Sequence, residues 1–413
     1  MTNVPDQTPR ANEPIVATTA ANYLNKAQIA ELEKSQTLFK IVYTQFKEHK
    51  AAVIGAWTIL VFVLIALSAP LIEAITGLDA DSQNVFNRYK PPMSHIQASS
   101  DTRETTVKNF LTANPSEALT IENKLIESKA VTSTKAEDAL YDWAQLDSKT
   151  ALAAIKDLEI PKKHELSKMV KNFETLHVLG TDELGRDVLM RIIYGTQVSM
   201  GVGILVALAS AFIGLIIGAL AGFYGGWVDT LLMRVTDALL SLPVMPVLIV
   251  VAAIDLQKLP FAKAVLSSGN ESILKLVFIL CLFSWMTVAR LVRGSILSLR
   301  EREFVLAAKT LGATDSTIMI RHMFPNVIAP LLVSVTLGVG ESILFEAALS
   351  YLGLGIQPPT PSWGNMLFNA QELIYQAPYL AIIPGVLIFL VTISFNFVGD
   401  GLQDAIDPKS IRR

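Results

Sequence analysis

Long apolar runs separated by polar segments dominate the pattern of hydrophobic and polar residues along the chain. A helix needs about 20 mostly apolar residues to cross the ~30 Å hydrocarbon core of a bilayer. The shortest candidate reaches this length only if its flanking cations, Lys275 and Arg290, extend to the interface. The pattern predicts an all-α membrane protein with six transmembrane helices, at 51–72, 198–224, 238–254 with a start near Leu231, 275–290, 322–340 with an extension past Glu341, and 373–399.

A basic amphipathic helix is predicted before the first span, within the N-terminal segment 1–50. Leu38, Ile41, Val42 and Phe46 recur at three- and four-residue spacing, with lysines between them. The pattern fits an elbow helix lying on the membrane surface. The alternative is a solvated helix whose apolar stripe is docked on the protein.

A long polar insert, residues 73–197, separates the first two predicted spans. It is rich in Lys, Asp and Glu, and its apolar positions recur with a helical period. Helix start patterns occur at Asn114–Glu117 and Thr134–Glu137, each with a capping residue followed three positions later by glutamate. We expect three or four short helices packed into an inserted domain at about 95–176.

The distribution of Lys and Arg in the short loops predicts the orientation. The loop 290–325 and the tail 400–413 are rich in Lys and Arg, whereas the loop 355–371 has neither residue. The loop 255–275 carries three lysines and weakens this asymmetry. We expect both termini and the 290–325 loop on the cytoplasmic side of a membrane core at 198–399, with the polar insert on the opposite side.

The amino-acid composition excludes several classes of protein. Hydrophobic residues make up 51% of the chain and charged residues 17%, against about 25% charge in soluble domains. These values exclude a soluble enzyme with one ordinary core, and they exclude a disordered chain. The net charge of −3 gives no indication of nucleic-acid binding. Cys281 is the single cysteine, which excludes a disulfide framework and a cysteine-based zinc site.

The sequence contains no motif for catalysis or metal binding. It lacks a phosphate-binding G-x-x-x-x-G-K-[ST] loop and a zinc-binding H-E-x-x-H helix, and its five histidines lack ligand spacing. We therefore expect a chain that is not an enzyme, with no catalytic residue, no metal ligand and no cofactor of its own.

Three glycines at four-residue spacing, Gly214, Gly218 and Gly222, lie on one face of the second predicted span. Glycines in such positions let two helix backbones approach closely. The pattern predicts a helix packing face, either within the bundle or across a dimer.

The segment that follows the fourth predicted span, residues 303–323, has a helix–turn–helix pattern. One helix is predicted to end at Gly312, and a second is predicted to begin near Asp315. Ala307 and Ala308 leave little side-chain bulk on one face, which suits insertion into a groove on a partner. An ordinary connecting loop is the alternative, and these residues taken alone favour it.

This segment resembles the cytoplasmic loop motif of ABC importer permeases through Glu303–Ala308, Gly312 and Arg321–Asn326. The wider family has Glu at the position of Leu306. Further motifs follow in matching order and make the chain similar to the second permease subunit of the dipeptide/oligopeptide branch over residues 40–94 and 177–413: His177–Gly195, Gly222–Asp229, Glu346–Gly355 and Gly399–Pro408. The insert between these two regions has no counterpart in the branch.

The resemblance implies a type I ABC importer fold in the bacterial cytoplasmic (inner) membrane, as a multi-pass subunit surrounded by lipid. The implied partners are a homologous second permease subunit, two ATP-binding subunits that use ATP and Mg, and an extracytoplasmic solute-binding protein. The motif assigns coupling to the ATPase subunits to Glu303, Ala307, Ala308, Gly312, Asp315 and Pro325.

The implied function is the import of dipeptides or oligopeptides by alternating access. Relatives of the branch also handle nickel complexes or antimicrobial peptides, so these substrates stay open. An ion-coupled secondary transporter is a different class, and it predicts inverted repeats that the sequence lacks. A membrane anchor that only presents the insert would not need the cytoplasmic loop motif.

Few charged residues lie inside the predicted spans, and Asp237, Glu341 and Glu346 are the main ones. A carboxylate inside a membrane is costly and usually faces a cavity or a partner. Two interpretations stay open: these side chains line the translocation path, or they are paired locally, as Asp237 would be with Arg234 one turn away.

A charged turn is predicted just before the second span. Asp182, Arg186 and Asp187 are expected to form an ion-paired bend that Gly185 allows. We expect it to be a structural rim near the docking face of the binding protein, without a catalytic role.

Overall fold

The structure is a computed structural model that describes residues 38–76, 78–97, 100–128, 131, 136–146, 148–158, 174–254 and 271–406. Its N-terminal half contains an elbow helix, one long helix and a small helical domain inserted into a two-stranded sheet. In chain order these are α1 (Leu38–Glu48), α2 (Lys50–Thr76), β1 (Ser94–Gln97), α3 (Ser100–Ala113), α4 (Pro115–Glu127), α5 (Ala136–Gln145), α6 (Ser148–Asp157) and β2 (Glu174–His177).

The rest of the described chain is helical. Its elements are α7 (Val188–Tyr224), α8 (Gly226–Leu240), α9 (Val244–Ala253), α10 (Glu271–Arg300), α11 (Glu303–Thr310), α12 (Asp315–Thr317) with a π-helix (Ile318–Met323), α13 (Phe324–Tyr351), α14 (Trp363–Met366), α15 (Ala370–Gln376) and α16 (Tyr379–Ile406). By length and composition, five of the described helices can cross a membrane, and the bent pair α8 and α9 makes a sixth span. The six predicted spans therefore correspond to these elements.

The bundle is organised around α7, which packs against α2, α10 and α13. The glycine face of α7 lies on α10. A Cβ added at Gly218 would be 2.4 Å from the Ala289 carbonyl oxygen and 2.8 Å from the Val292 Cβ, and Gly214 and Gly222 are similarly close to α10. The predicted packing face is confirmed, and its partner belongs to the same chain.

The second span begins earlier than the sequence pattern predicted. Helix α7 starts at Val188, because the carboxylate of Asp187 accepts a hydrogen bond from the Met190 amide at 2.7 Å and caps the helix. The polar insert therefore ends before this helix and does not extend to residue 197.

The third, fourth and last spans also differ from their predicted limits. The third is bent by 85° between α8 and α9. Pro243 lies at this break, where its ring disfavours helical geometry in the preceding residue. The fourth span extends well beyond 275–290 at both ends. The last begins at Tyr379 and continues to Ile406, so it includes part of the predicted tail.

A two-stranded sheet is the one departure from the all-α expectation within the described residues. Strands β1 and β2 are antiparallel, with Ser94 opposite His177 and Gln97 opposite Glu174. The pairing brings the two ends of the insert together beside the bundle.

Within the described residues, the inserted domain has four helices, in line with the three or four that the sequence predicted, and they share one apolar core. The indole nitrogen of Trp143 donates a hydrogen bond to the Ala151 carbonyl at 3.1 Å. Arg103 is buried and donates to the carbonyls of Ala144 and Leu146 at 3.0 and 3.1 Å. Burial lowers the pKa of the Arg103 guanidinium.

The elbow helix α1 packs on the end of α16. A Cβ added at Gly401 would be 2.2 Å from the Ala52 Cβ and 3.4 Å from the Phe46 ring, so α1, α2 and α16 meet closely. This contact supports the docked alternative for the apolar stripe. Residues 1–37 and Thr134 of the second start pattern lie outside the described residues.

Candidate functional site

The 303–323 segment is a compact turn at one end of the bundle. Helix α11 ends in a Schellman motif, in which the Gly312 amide donates to the Lys309 carbonyl at 3.0 Å and the Ala313 amide to the Ala308 carbonyl at 3.1 Å. Gly312 has a φ of +81°, and no atom lies within 4 Å of an added Cβ. Within this chain, glycine is therefore required for its backbone conformation and not for space.

The inner face of the segment is anchored to the membrane helices. Four of its apolar side chains are buried against α10 and the first turn of α13: Val305, Ala308, Ile318 and Met323. Their neighbours are Val288, Val292, Ile296 and Val327. A displacement of the segment therefore acts directly on α10.

The outer face of the segment is exposed and carries large apolar side chains among polar ones. The side chain of Leu311 is 88% exposed. Exposed apolar side chains at this end of the bundle make the face a candidate interaction site. Other exposed members of this face are Phe304, Leu306, Ala307 and Gly312.

The remaining predicted residues of the segment lie at helix starts. Glu303 and Asp315 are in the first turns of α11 and α12, where a negative charge is favourable. Thr314 caps α12 by accepting a hydrogen bond from the Thr317 amide at 3.4 Å. Pro325 lies in the first turn of α13, a position that needs no amide donor.

The charged turn before α7 is ion-paired, as predicted. Asp182 accepts hydrogen bonds from the amides of Leu184 and Arg186 at 2.9 and 3.0 Å, and its second oxygen is 2.7 Å from the Arg186 Nε. Arg191 brings a further cation to 3.4 Å from the same oxygen. The bend lies at Gly185, whose φ is +75°.

A second contact ties this turn to the sheet. The Asp187 carboxylate is 2.7 Å from Nδ1 of His177, and Nε2 of the same ring is 3.0 Å from the Thr175 hydroxyl. Asp182, Arg186 and Asp187 are all buried. The turn therefore holds β2 against the start of α7. Its role as a structural rim near the docking face of a binding protein stays a prediction.

Two ion pairs join α8 to α10. Asp237 accepts a hydrogen bond from Nε of Arg290 at 3.0 Å, and Asp229 accepts from Nε of Arg293 at 2.9 Å. The partner of Asp237 is therefore Arg290, and the expected pairing with Arg234 is wrong.

Glu346 is enclosed by the chain itself, with none of its side chain exposed. Its carboxylate accepts hydrogen bonds from the hydroxyls of Ser350 at 2.8 Å and Ser199 at 3.0 Å. The Ser199 hydroxyl accepts from the Trp363 amide at 3.1 Å. This network connects α7, α13 and α14, and it excludes Glu346 from the surface of a translocation path.

Glu341 lies on the exposed side of α13. Asn396 of α16 is also exposed, and its Oδ1 is 3.5 Å from a Cβ built at the neighbouring Gly340. Glu341 and Asn396 thus occupy exposed positions on two helices that pack against each other. Within the described part of the chain, no group of three or more His, Cys, Asp or Glu residues is placed to hold a metal ion.

Comparison with known proteins identifies the family. The profile described as "Binding-protein-dependent transport system inner membrane component" matches residues 214–412, and the N-terminal TM domain of oligopeptide transport permease C matches residues 37–92. The dipeptide transport system permease protein of Alkalihalophilus pseudofirmus is 40% identical over 233 residues, which are 56% of this chain and 72% of that protein. The chain belongs to the ABC importer permease family of binding-protein-dependent transport systems.

Other relatives agree with this assignment. Glutathione transport system permease proteins of Pectobacterium atrosepticum and Escherichia coli are 41% and 42% identical, over 56% of this permease and 73% and 72% of their own lengths. A chain of the MetNI methionine ABC transporter in inward-facing conformations has a TM-score of 0.41 and 18% identity, covering 52% of this permease and 96% of that chain. With its apolar helices, the permease is a multi-pass inner membrane protein.

Sequence reasoning missed three contacts of the permease. Asp187 directly precedes an apolar run, which is a helix start signal that locates the beginning of α7. Glu346 and Ser350 are four residues apart and share a helix face, which indicates a local hydrogen bond. The pairing of His177 with Asp187 has no such local signal, because it depends on where β2 lies.

Proposed function

We propose that this permease is the membrane subunit of an ATP-driven importer that moves dipeptides, oligopeptides or similar short peptides into the cytoplasm by alternating access. The names of its relatives, dipeptide and glutathione transport permeases at 40–42% identity, support a short-peptide substrate. The observation that carries the proposal is the 303–323 segment, hereafter the coupling segment, which exposes large apolar side chains outside and is anchored to the spans inside.

The coupling segment transmits work from separate ATPase subunits. Its outer face, with Leu311 most exposed, docks in a groove of an ATPase subunit. Its inner face holds α10, and its π-helix continues directly into α13. Because packed helices shift as rigid units, closure of the ATPase subunits moves α10 and α13 together.

The complete transporter contains a second, homologous permease subunit, two ATP-binding subunits and an extracytoplasmic solute-binding protein. ATP and Mg are bound by the ATP-binding subunits. The Lys- and Arg-rich loop 290–325 and both termini face the cytoplasm, and the inserted domain lies outside.

Glu341 lies on the translocation path. A charged side chain at the centre of a bilayer costs about 2.5–3.5 kcal/mol on insertion scales, so an exposed glutamate in α13 faces water or a partner and not lipid. The α-ammonium group of a peptide is the cation that this carboxylate attracts. Changing Glu341→Gln lowers peptide uptake and leaves the melting temperature unchanged, and a large loss of stability would contradict this role.

The decisive experiment is ATP-dependent uptake of a labelled dipeptide by the complete complex in proteoliposomes. Gly312→Trp adds bulk to the docking face, and Gly312→Asn is the matched control because asparagine tolerates a positive φ. We expect the complex with Gly312→Trp to hydrolyse ATP but to take up the dipeptide at least about tenfold more slowly. This loss is equivalent to about 1.4 kcal/mol in the free energy that couples hydrolysis to uptake. Gly312→Asn should retain most of its uptake.

Other outcomes of this assay separate the remaining candidates. Uptake by the purified permease without ATPase subunits would indicate an ion-coupled secondary transporter and overturn the proposal. Normal uptake by the complex with Gly312→Trp would show that this turn does not couple ATP hydrolysis to transport. Uptake of a nickel complex or an antimicrobial peptide in place of the dipeptide would retain the ATP-driven mechanism and change the substrate.

A further inference from the structure

An apolar cavity of about 360 Å³ opens on the surface of the bundle beside the coupling segment. Ile216 and Leu220 of α7 form one side, and Ile296 of α10 forms the floor. Ile320 of the π-helix and Phe324 of α13 form the other side. The lining is apolar throughout, so the cavity suits a hydrocarbon chain and offers no hydrogen bond to a polar ligand.

The surface around the cavity has the character of a lipid-facing surface. On α7, exposed Leu208 and Phe212 continue the row of Ile216 and Leu220 at four-residue spacing. On α13, exposed Leu332 extends the apolar surface away from the cavity. Glu341 of α13 and Asn396 of α16 do not line this cavity.

A cation lies one helical turn beyond the cavity. Arg300 follows Ile296 by four residues on α10, and it is exposed at the end of that helix. Its Nη1 donates to the Phe223 carbonyl at 3.4 Å, which places the guanidinium at the end of the seam between α7 and α10. Exposed Tyr224 and Trp227 mark the membrane–water interface at this level.

We propose that the cavity is a phospholipid site, in which an acyl chain of an anionic lipid fills the cavity and its phosphate is bound by Arg300. Basic residues beside a pocket between membrane helices favour anionic headgroups. The bound chain contacts α7, α10 and the π-helix of the coupling segment together. It therefore stabilises one arrangement of the helices that the coupling segment moves. This inference does not depend on the identity of the transported substrate.

The test measures lipid binding to the complete, delipidated complex in detergent. Phosphatidylglycerol or phosphatidylcholine is titrated in, and bound lipid is counted by native mass spectrometry. Ile320→Trp fills the cavity, and Leu332→Trp is its control on the same surface outside the cavity. Arg300→Gln removes the headgroup cation, and Arg302→Gln is its control among the exposed cations nearby.

We expect the unmodified complex to prefer phosphatidylglycerol and Ile320→Trp to lose the bound lipid, while Leu332→Trp retains it. Arg300→Gln should lower the preference for phosphatidylglycerol by about fivefold, since one basic residue contributes about 1 kcal/mol near an anionic headgroup. Arg302→Gln should leave the preference for phosphatidylglycerol unchanged. Full retention by Ile320→Trp, equal binding of the two lipids by the unmodified complex, or a partner side chain cross-linked into the cavity would each overturn the proposal.

Discussion

The close contact between α7 and α10 gives a quantitative prediction for Gly218→Ala. The added Cβ would lie 2.4 Å from the Ala289 carbonyl oxygen, which is a backbone atom and cannot rotate away. Overpacking of this kind costs about 1–3 kcal/mol. Gly201 of the same helix is the matched control, because no atom lies within 4 Å of its added Cβ. Both substitutions gain the same helix propensity of up to about 1 kcal/mol, so this gain cancels in the comparison.

The assay is thermal unfolding of the purified permease in one detergent, with Gly201→Ala and Gly218→Ala measured side by side. We expect Gly201→Ala to melt at or above the temperature of the unmodified chain and Gly218→Ala to melt clearly below it. A difference near zero would show that α7 and α10 separate without cost. The assignment of the glycine face to this helix pair would then be wrong.

Two further predictions concern buried carboxylates. Asp187→Ala removes the cap of α7 and the partner of His177, so it should lower the free energy of unfolding by about 1–3 kcal/mol in chemical denaturation. Asp187→Asn should lower the free energy of unfolding by a smaller amount, because its amide oxygen still caps the helix. Equal decreases for the two variants would contradict the capping role. Glu346→Ala leaves the hydroxyls of Ser199 and Ser350 without their acceptor and should destabilise the fold by about 1–3 kcal/mol. Loss of peptide uptake with unchanged stability would instead indicate that Glu346 lines the translocation path.

The membrane helices and the coupling turn were predictable because their signals are local. Apolar length predicts a span, and three glycines at four-residue spacing predict a close helix contact whatever the partner is. Gly312 ends α11 through a motif that needs only neighbouring residues. The conformation of the coupling segment therefore follows from its own sequence.

Some partners of the charged residues were not predictable, because they come from distant parts of the chain. Asp237 has Arg234 one turn away, yet it pairs with Arg290 of another helix. Asp182 and Arg186 are charged and precede a span, which suggests exposure, but pairing with each other and with Arg191 allows them to be buried. Burial of a charge depends on its partners, and sequence spacing shows only the local ones.

The sheet at the base of the insert explains how an importer permease accommodates an additional domain, and it leads to a last prediction. Gln97 and Glu174 are paired at the end of the β1–β2 ribbon, so residues 98–173 enter and leave the fold at one place. The apolar core of α3–α6 is built from the insert's own side chains. Replacing residues 98–173 by Asn-Gly, which favours a two-residue hairpin, should therefore leave the melting temperature of the membrane bundle nearly unchanged. The matched control, Gly-Gly-Gly-Gly in place of residues 94–177, removes the ribbon and the His177–Asp187 contact and should destabilise the bundle. Equal stability of the two deletions would show that the ribbon contributes nothing, and aggregation of the Asn-Gly variant would show that the bundle depends on the inserted domain.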